Sequence, residues 1–137
     1  MILAINHYFT PETTYDEVFS PERRDHASVI HRACRDFFER RGIKVLPVSC
    51  VDPADPVVDY VLYFDTCWQR FFKDRFLHRI PFKKRVLLLW EPPNVNPTLY
   101  YLSYFRRHFS IVFSWSERMT ARHGCIYYPI FPWADPQ

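Results

Sequence analysis

Short apolar runs, separated by polar segments, divide the chain into strand-length and helix-length pieces. In the run over residues 84–90, Val86 to Leu89 are continuously Val and Leu, which is typical of a parallel strand buried on both faces. Five further runs have strand length: 2–8, 43–49, 59–65, 110–116 and 125–131. Pro47 interrupts the second of these, and this indicates a strand at the edge of a sheet.

Helix signals fall between these strands. Asp25 is a suitable N-cap and Gly42 a suitable stop, so we predict a helix from Asp25 to about Arg41. A polar loop with two prolines is expected before it, and one or two short helices over residues 68–77. Asn96 and Pro97 favour the start of another helix. Its apolar stripe consists of Leu99, Leu102, Phe105 and Phe109.

The resulting order, β-α-β-β-α-β, favours a mainly parallel sheet with helices on both faces. We therefore predict an α/β domain of the Rossmann-like or flavodoxin-like kind. With 137 residues the chain is long enough for one domain with a substantial core. We expect this domain to span residues 1–132, and residues 133–137 to begin a linker or tail.

The composition of the chain makes some kinds of function less suitable than others. The chain is 48% hydrophobic and 24% charged, as in folded globular proteins, but has only 2 glycines and no Gly-rich phosphate loop. The net charge of +3 comes from short basic clusters at predicted element ends, where they suit helix C-termini better than nucleic acid. The four cysteines show no metal-binding spacing, and we see no signal peptide or membrane span. We therefore expect a cytoplasmic protein without a metal or a bound cofactor, for which peripheral membrane contact remains open.

One carboxylate stands out. Glu91 closes the most apolar strand, and Pro92 and Pro93 follow it at once. A carboxylate is expensive to desolvate, and ligands of open α/β sheets bind at the carboxyl ends of the strands. Pro92 restricts the backbone of Glu91 to extended conformations, so its side chain leaves the strand in a defined direction. An alternative interpretation, which spacing alone favours equally, is that Glu91 caps a loop or forms an ion pair with an arginine.

Other polar or aromatic side chains follow the ends of the remaining strands. They are His7 and Tyr8 after the first strand, Asp65 and Trp68 at and after the third, and Ser114, Ser116 and Glu117 after the fifth. A carboxylate in a partly dry cleft can take a proton from a hydroxyl nucleophile. Taken singly, His7 also fits a hydrogen-bonded loop, Asp65 a turn, and Trp68 the core.

Several segments together resemble the fucosyltransferases of glycosyltransferase family 10. They are KRVLLLWEPPNVNP over residues 84–97, FSIVFSW over 109–115, YYP over 127–129 and, before them, DYVLYF over 59–64. The resemblance covers roughly the second half of the chain. Pro92 departs from the family pattern, in which Ser or Asn is usual at this position.

The resemblance implies inverting transfer of fucose from GDP-fucose to a sugar hydroxyl within a two-domain GT-B architecture. Glu91 maps onto the family's general base, and we expect acceptor contacts from His7, Tyr8, Asp65, Trp68 and Asn94. Nothing similar to the donor-binding domain follows Pro129. The chain is therefore expected to be the acceptor half, with the glycan acceptor and a donor-binding domain, in cis or in trans, as partners.

Two alternatives remain open from the sequence. The first is a glycan-binding module without catalysis, in which Glu91 hydrogen-bonds a sugar hydroxyl. The second is a regulatory or protein-interaction domain with a flavodoxin-like fold. A phosphoacceptor site of the receiver type needs paired acids after the first strand, whereas this strand ends in Asn6, His7 and Tyr8.

Overall fold

The structure is a computed structural model of the whole chain. It describes residues 1–6, 14–23, 26–65, 74, 77–90, 96 and 101–128, with the backbone alone at 26 and 27. The short helices expected over 68–77 lie almost wholly outside the described residues, as do Asp25 and the first turn of the helix expected after Asn96.

Six strands form one sheet in the order β2-β1-β3-β4-β5-β6, and every neighbouring pair is parallel. Their bounds are β1 Ile2–Asn6, β2 Lys44–Pro47, β3 Tyr60–Phe64, β4 Arg85–Leu89, β5 Ile111–Ser114 and β6 Ile126–Tyr127. The predicted α/β Rossmann-like fold is confirmed. The edge position of β2 is confirmed as well. Because β1 is the one strand of the described sheet that pairs with β2, Pro47, which has no amide hydrogen, is tolerated there.

The helices agree with the sequence prediction in part. They are α1 Tyr15–Val18, α2 His26–Glu39, α3 Leu102–Arg106 and α4 Glu117–His123, with a 3₁₀ turn at Phe82–Lys84 before β4. The stop expected at Gly42 is observed, with a φ of 73° that suits glycine. The apolar stripe was predicted to continue to Phe109 within the helix, but α3 ends at Arg106. Phe109 is buried, and it lies in the turn that follows α3.

Two helices were not expected. The segment predicted to be only a polar loop contains α1, which begins with a capping box between Thr14 and Glu17. The connection between β5 and β6 contains α4, which Ser116 caps and Gly124 ends at a φ of 64°. Both helices are too short to show apolar periodicity, so their end caps are the only local signal.

One face of the sheet, called here the covered face, is packed throughout its described length. Ala4, Val61, Leu87 and Val112 point to this side from four strands and are essentially inaccessible to solvent. The helix α3 and the turn after it cover them with Leu102, Phe105 and Phe109, all at 0% exposure.

The opposite face, called here the open face, is packed unevenly. Over β1 and β2 it is covered by α1 and α2, which bury Val18, Phe19 and Val45. Over β3, β4 and β5 an apolar groove of about 750 Å³ runs along the strands, with Leu62, Leu88 and Phe113 on its floor. The helix α2 forms one wall of this groove with Ile30, Phe37 and Phe38, and no other described helix lines it. Parallel sheets are normally covered on both faces, so the groove is a surface of interior character.

Because all strands are parallel, their ends form two distinct edges. The carboxyl edge contains the ends of the strands, and the amino edge contains their starts together with the C-termini of α2, α3 and α4. The chain moves to one side from β1 to β2, and to the other side from β3 onward, so the topological switch point lies between β1 and β3. Ligands of open α/β sheets bind at the carboxyl edge next to such a point.

Candidate functional site

Asp65 lies directly after β3 at the carboxyl edge and is 4% exposed. Its amide donates to the carbonyl of Leu88 at 2.9 Å, and its Oδ1 accepts from the amide of Trp90 at 2.8 Å. The backbone of Asp65 adopts a φ of 51°, a conformation that Asp and Asn tolerate better than other residues with a Cβ. This turn of the backbone directs the carboxylate across to the end of the neighbouring strand.

Tyr128 reaches the same point from β6. Its hydroxyl donates to the carbonyl of Leu89 at 2.6 Å, and its ring packs edge-on against Phe113. Burial raises the pKa of Tyr128 well above its ordinary value, and the negative charge of Asp65 raises it further. The hydroxyl therefore remains protonated and acts as a donor throughout the physiological range.

The carbonyl of Leu89 and the amide of Trp90 belong to one peptide group. Asp65 holds its N–H and Tyr128 holds its C=O, an arrangement called here the peptide clamp. A carboxylate on the N–H and a hydroxyl on the C=O polarise the peptide group in the same sense, so each bond strengthens the other. The clamp fixes the direction in which the chain leaves β4.

A second polar cluster lies at the switch point itself, between the ends of β1 and β3. Asn6, the last residue of β1, donates from Nδ2 to Oδ2 of Asp74 at 3.0 Å, and Asp74 Oδ1 accepts from the amide of Leu77 at 3.1 Å. Tyr63, the β3 neighbour of Asn6 in register, is buried, and its pKa is raised by that burial and by the charge of Asp74. The cluster ties the end of β1 to the segment that follows β3.

The serines after β5 serve local structure. Ser114 Oγ accepts from the amide of Ser116 at 3.2 Å, and Ser116 Oγ accepts from the amide of Met119 at 3.3 Å as the N-cap of α4. Glu117 is exposed in the first turn of this helix, where a negative charge is favourable. The polar residues of this strand end are thus accounted for by capping.

Among the predicted site residues, Asp65 is the one that the structure describes. Glu91, His7, Tyr8, Trp68 and Asn94 lie outside the described residues. The described neighbours of these positions are Asn6 before His7 and Trp90 before Glu91, and each is held by a carboxylate. Sequence reasoning missed Asn6, Tyr63, Asp74 and Tyr128 as parts of this edge. The signal for Asn6 was available, since it is a polar residue closing an apolar strand, as Glu91 is.

No cluster of three or more His, Cys, Asp or Glu able to hold a metal occurs in the part of the chain that the structure describes. Burial raises the pKa of Cys34 to about 12, which keeps this thiol protonated and unreactive as a nucleophile. The described polar groups of the carboxyl edge are therefore carboxylates, amides and hydroxyls, and their observed hydrogen bonds hold the strand ends in place.

Comparison with protein-family models, with curated proteins and with solved structures finds no match for this chain.

Proposed function

We propose that this chain is the acceptor-binding half of an inverting, fucosyltransferase-like glycosyltransferase. Its substrate is a sugar hydroxyl bound at the carboxyl edge, and the donor in the complete enzyme is GDP-fucose. Glu91 is the general base: it takes the proton of the acceptor hydroxyl as that oxygen attacks the anomeric carbon of fucose. The bond from this carbon to the phosphate oxygen breaks, and GDP leaves with the electron pair.

The observation that carries the proposal is the peptide clamp. Asp65 and Tyr128, from two other strands, hold both polar groups of the Leu89–Trp90 peptide, and Glu91 is the next residue in sequence. A general base must be held within hydrogen-bond reach of the proton that it takes. A backbone anchored by two side-chain hydrogen bonds, immediately before Glu91, is a suitable support for such a residue, and Pro92 restricts the backbone on its other side.

Acceptor binding can be tested on the chain as it stands. Amide NMR spectra are recorded while N-acetyllactosamine and GDP-fucose are titrated in separately. We expect N-acetyllactosamine to shift the amides of Asn6, Asp65 and Trp90 at the carboxyl edge and to leave those of Lys83 and Phe82 at the amino edge unchanged. Binding of GDP-fucose without binding of the sugar would overturn the assignment of this chain to the acceptor side.

The role of Glu91 is tested by Glu91→Gln in the enzyme completed by a donor-binding domain. Loss of the base should lower kcat for fucosyl transfer by roughly 10²–10⁴-fold, while acceptor binding changes little. Glu117→Gln is the matched control, because Glu117 is an exposed glutamate at the same edge. A variant that loses acceptor binding but keeps its rate at saturating acceptor would show that Glu91 binds the sugar and is no base.

A further inference from the structure

Exposed apolar side chains gather at the amino edge, the edge remote from the candidate site. They are Met1, Phe37, Val57, Tyr60 and Phe82, with exposures of 59%, 45%, 56%, 39% and 51%. Single exposed apolar residues are common on soluble proteins and need no explanation. Their concentration at one edge is different, because the start of the chain and three separate connections contribute to it. Met1, Phe37 and Tyr60 also line the groove of the open face, whereas Val57 and Phe82 lie outside it.

Exposed cations lie at the same edge as these apolar side chains. They are Arg40, Arg41, Lys44, Arg79, Lys83 and Arg107. The guanidinium of Arg41 lies 3.7 Å from the ring centre of Phe37, and Lys83 follows Phe82 in the same 3₁₀ turn. The amide of Lys44 donates to the carbonyl of Met1, so these two residues are also neighbours.

Three carboxylates at this edge have partners within the chain, and one of these partners is a cation. Asp52 pairs with Arg79 at 2.7 Å, Asp55 accepts from the amide of Val57 at 2.9 Å, and Asp59 accepts from the amide of Ile2 at 2.7 Å. Lys83 and Arg107 have no carboxylate partner among the residues described here. Burial lowers the pKa of His108 at this edge, and the neighbouring groups Arg107, Arg85 and His78 lower it further.

Helix capping explains only part of this arrangement. Arg41 donates to the carbonyl of Phe37 in the last turn of α2 at 2.9 Å, as expected for a cation near a helix C-terminus. Arg106 donates to the carbonyl of Phe109 in the turn after α3 at 2.9 Å. Capping does not account for Lys83, which follows no described α-helix, or for the exposure of Phe82. The ends of helices need no apolar side chains in water.

We propose that the amino edge docks on an anionic lipid surface. Apolar tips enter the interfacial region while the neighbouring Lys and Arg contact phosphate and carboxylate groups of the lipids. The core of a protein interface is depleted of Lys, whereas here cations lie beside the apolar tips. Single-stranded nucleic acid is bound by successive aromatic rings in a groove, and Met1 and Val57 have no ring.

Docking in this orientation leaves the carboxyl edge free. The two edges are separated by the length of the strands, about 17 Å for five residues. A ligand site at the carboxyl edge then faces away from the lipid and stays open to solution. The proposal does not depend on which ligand binds there.

The test is co-sedimentation of the full chain with vesicles of phosphatidylcholine, alone or mixed with phosphatidylserine. We expect binding to the mixed vesicles that falls steeply with salt, and little binding to phosphatidylcholine alone. Lys83→Gln and Arg107→Gln should each weaken the partition by about five-fold, and Phe82→Ser by about ten-fold or more, since a Phe side chain loses its burial. Arg118→Gln and Tyr127→Ser, exposed residues outside the amino edge, are the controls and should bind as the unchanged chain does.

Four results would overturn the proposal. They are no sedimentation with either vesicle, equal binding to both vesicles, equal losses in the control variants, and preferential binding of a single-stranded oligonucleotide over the mixed vesicles. All the substituted side chains are exposed, and circular dichroism of each variant verifies that a lost interaction is not lost folding.

Discussion

The two faces of the sheet differ in how completely they are covered, and adjacent residues of β4 show the difference. Leu87 points to the covered face and is 0% exposed, whereas Leu88 points to the open face and is only half-buried beside the groove. Both belong to the same run of Val and Leu. An apolar run therefore predicts a strand with two apolar faces, but it does not say what covers each face.

The largest expected effect comes from truncating these two leucines. Leu87→Ala should lower the free energy of unfolding by about 2–5 kcal/mol, because it removes packed atoms and leaves a cavity. Leu88→Ala should lower it by roughly half as much or less, since part of this side chain already contacts solvent. Urea denaturation of both variants measures the difference. Equal losses would mean that the open face is as well covered in solution as its opposite.

The next effect concerns Asp65, where three substitutions separate two contributions. Asp65→Ala loses the hydrogen bond to the amide of Trp90 and places a residue other than Asn, Asp or Gly at positive φ, so we expect a loss of about 2–4 kcal/mol. Asp65→Gly relieves the backbone strain and should lose about 1–3 kcal/mol, the cost of an unpaired buried amide. Asp65→Asn keeps both properties and should be the mildest. If Gly and Ala variants are equally stable, the backbone at this position is not strained.

Removing the hydroxyl of Tyr128 should lower the free energy of unfolding by a smaller amount, and this amount should depend on pH. Tyr128→Phe should cost about 1 kcal/mol at neutral pH, because the carbonyl of Leu89 loses its donor. The folded-state pKa is raised above the unfolded value of about 10, so this stability is fully present below pH 10 and is lost as the pH rises above it. The variant should therefore show a shallower fall in stability on the alkaline side. Tyr127→Phe is the control, since the Tyr127 side chain is half exposed and should leave the alkaline slope unchanged.

The smallest effects come from the helix caps on the two faces. Thr14→Ala removes the cap of α1 on the open face, and Ser116→Ala that of α4 on the covered face; each should cost about 1 kcal/mol. The hydrogen bonds from the Thr14 backbone and side chain hold the pKa of Glu17 below its usual value. Thr14→Ala keeps the backbone hydrogen bond and removes that of the side chain, so it should move this pKa part of the way back toward normal, which NMR titration of the Glu17 carboxyl measures. No change in the pKa would mean that the hydroxyl of Thr14 does not bond Glu17 in solution.

Much of the fold was accessible from the sequence. The strand-length apolar runs predicted all six strands, and five of them to within two residues at both ends, whereas β6 ends at Tyr127, four residues before its predicted end. Pro47 predicted the edge position of β2. The helices α1 and α4 were missed because four and seven residues carry too little periodicity to register. For the site, the rule that polar residues follow strand ends led to Asp65. It did not lead to Tyr128 or Asp74, which come from segments distant in sequence and reach the site through the fold.

Local composition was enough to predict a parallel α/β sheet, because burial on both faces demands uninterrupted apolar strands and parallel crossovers demand helix-length connections. Two features depended on the assembled sheet. Tyr128 lies 39 positions from Leu89, and only the parallel register of three strands brings its hydroxyl to that carbonyl. The combination of cations and apolar tips at the amino edge arises in the same way, since the edge is composed of short pieces that are contiguous in space and scattered along the chain. The pattern of apolar and polar residues indicates which side of its own strand or helix each residue occupies. The peptide clamp and the amino edge depend on how strands and helices are placed relative to one another, and this pattern does not contain that information.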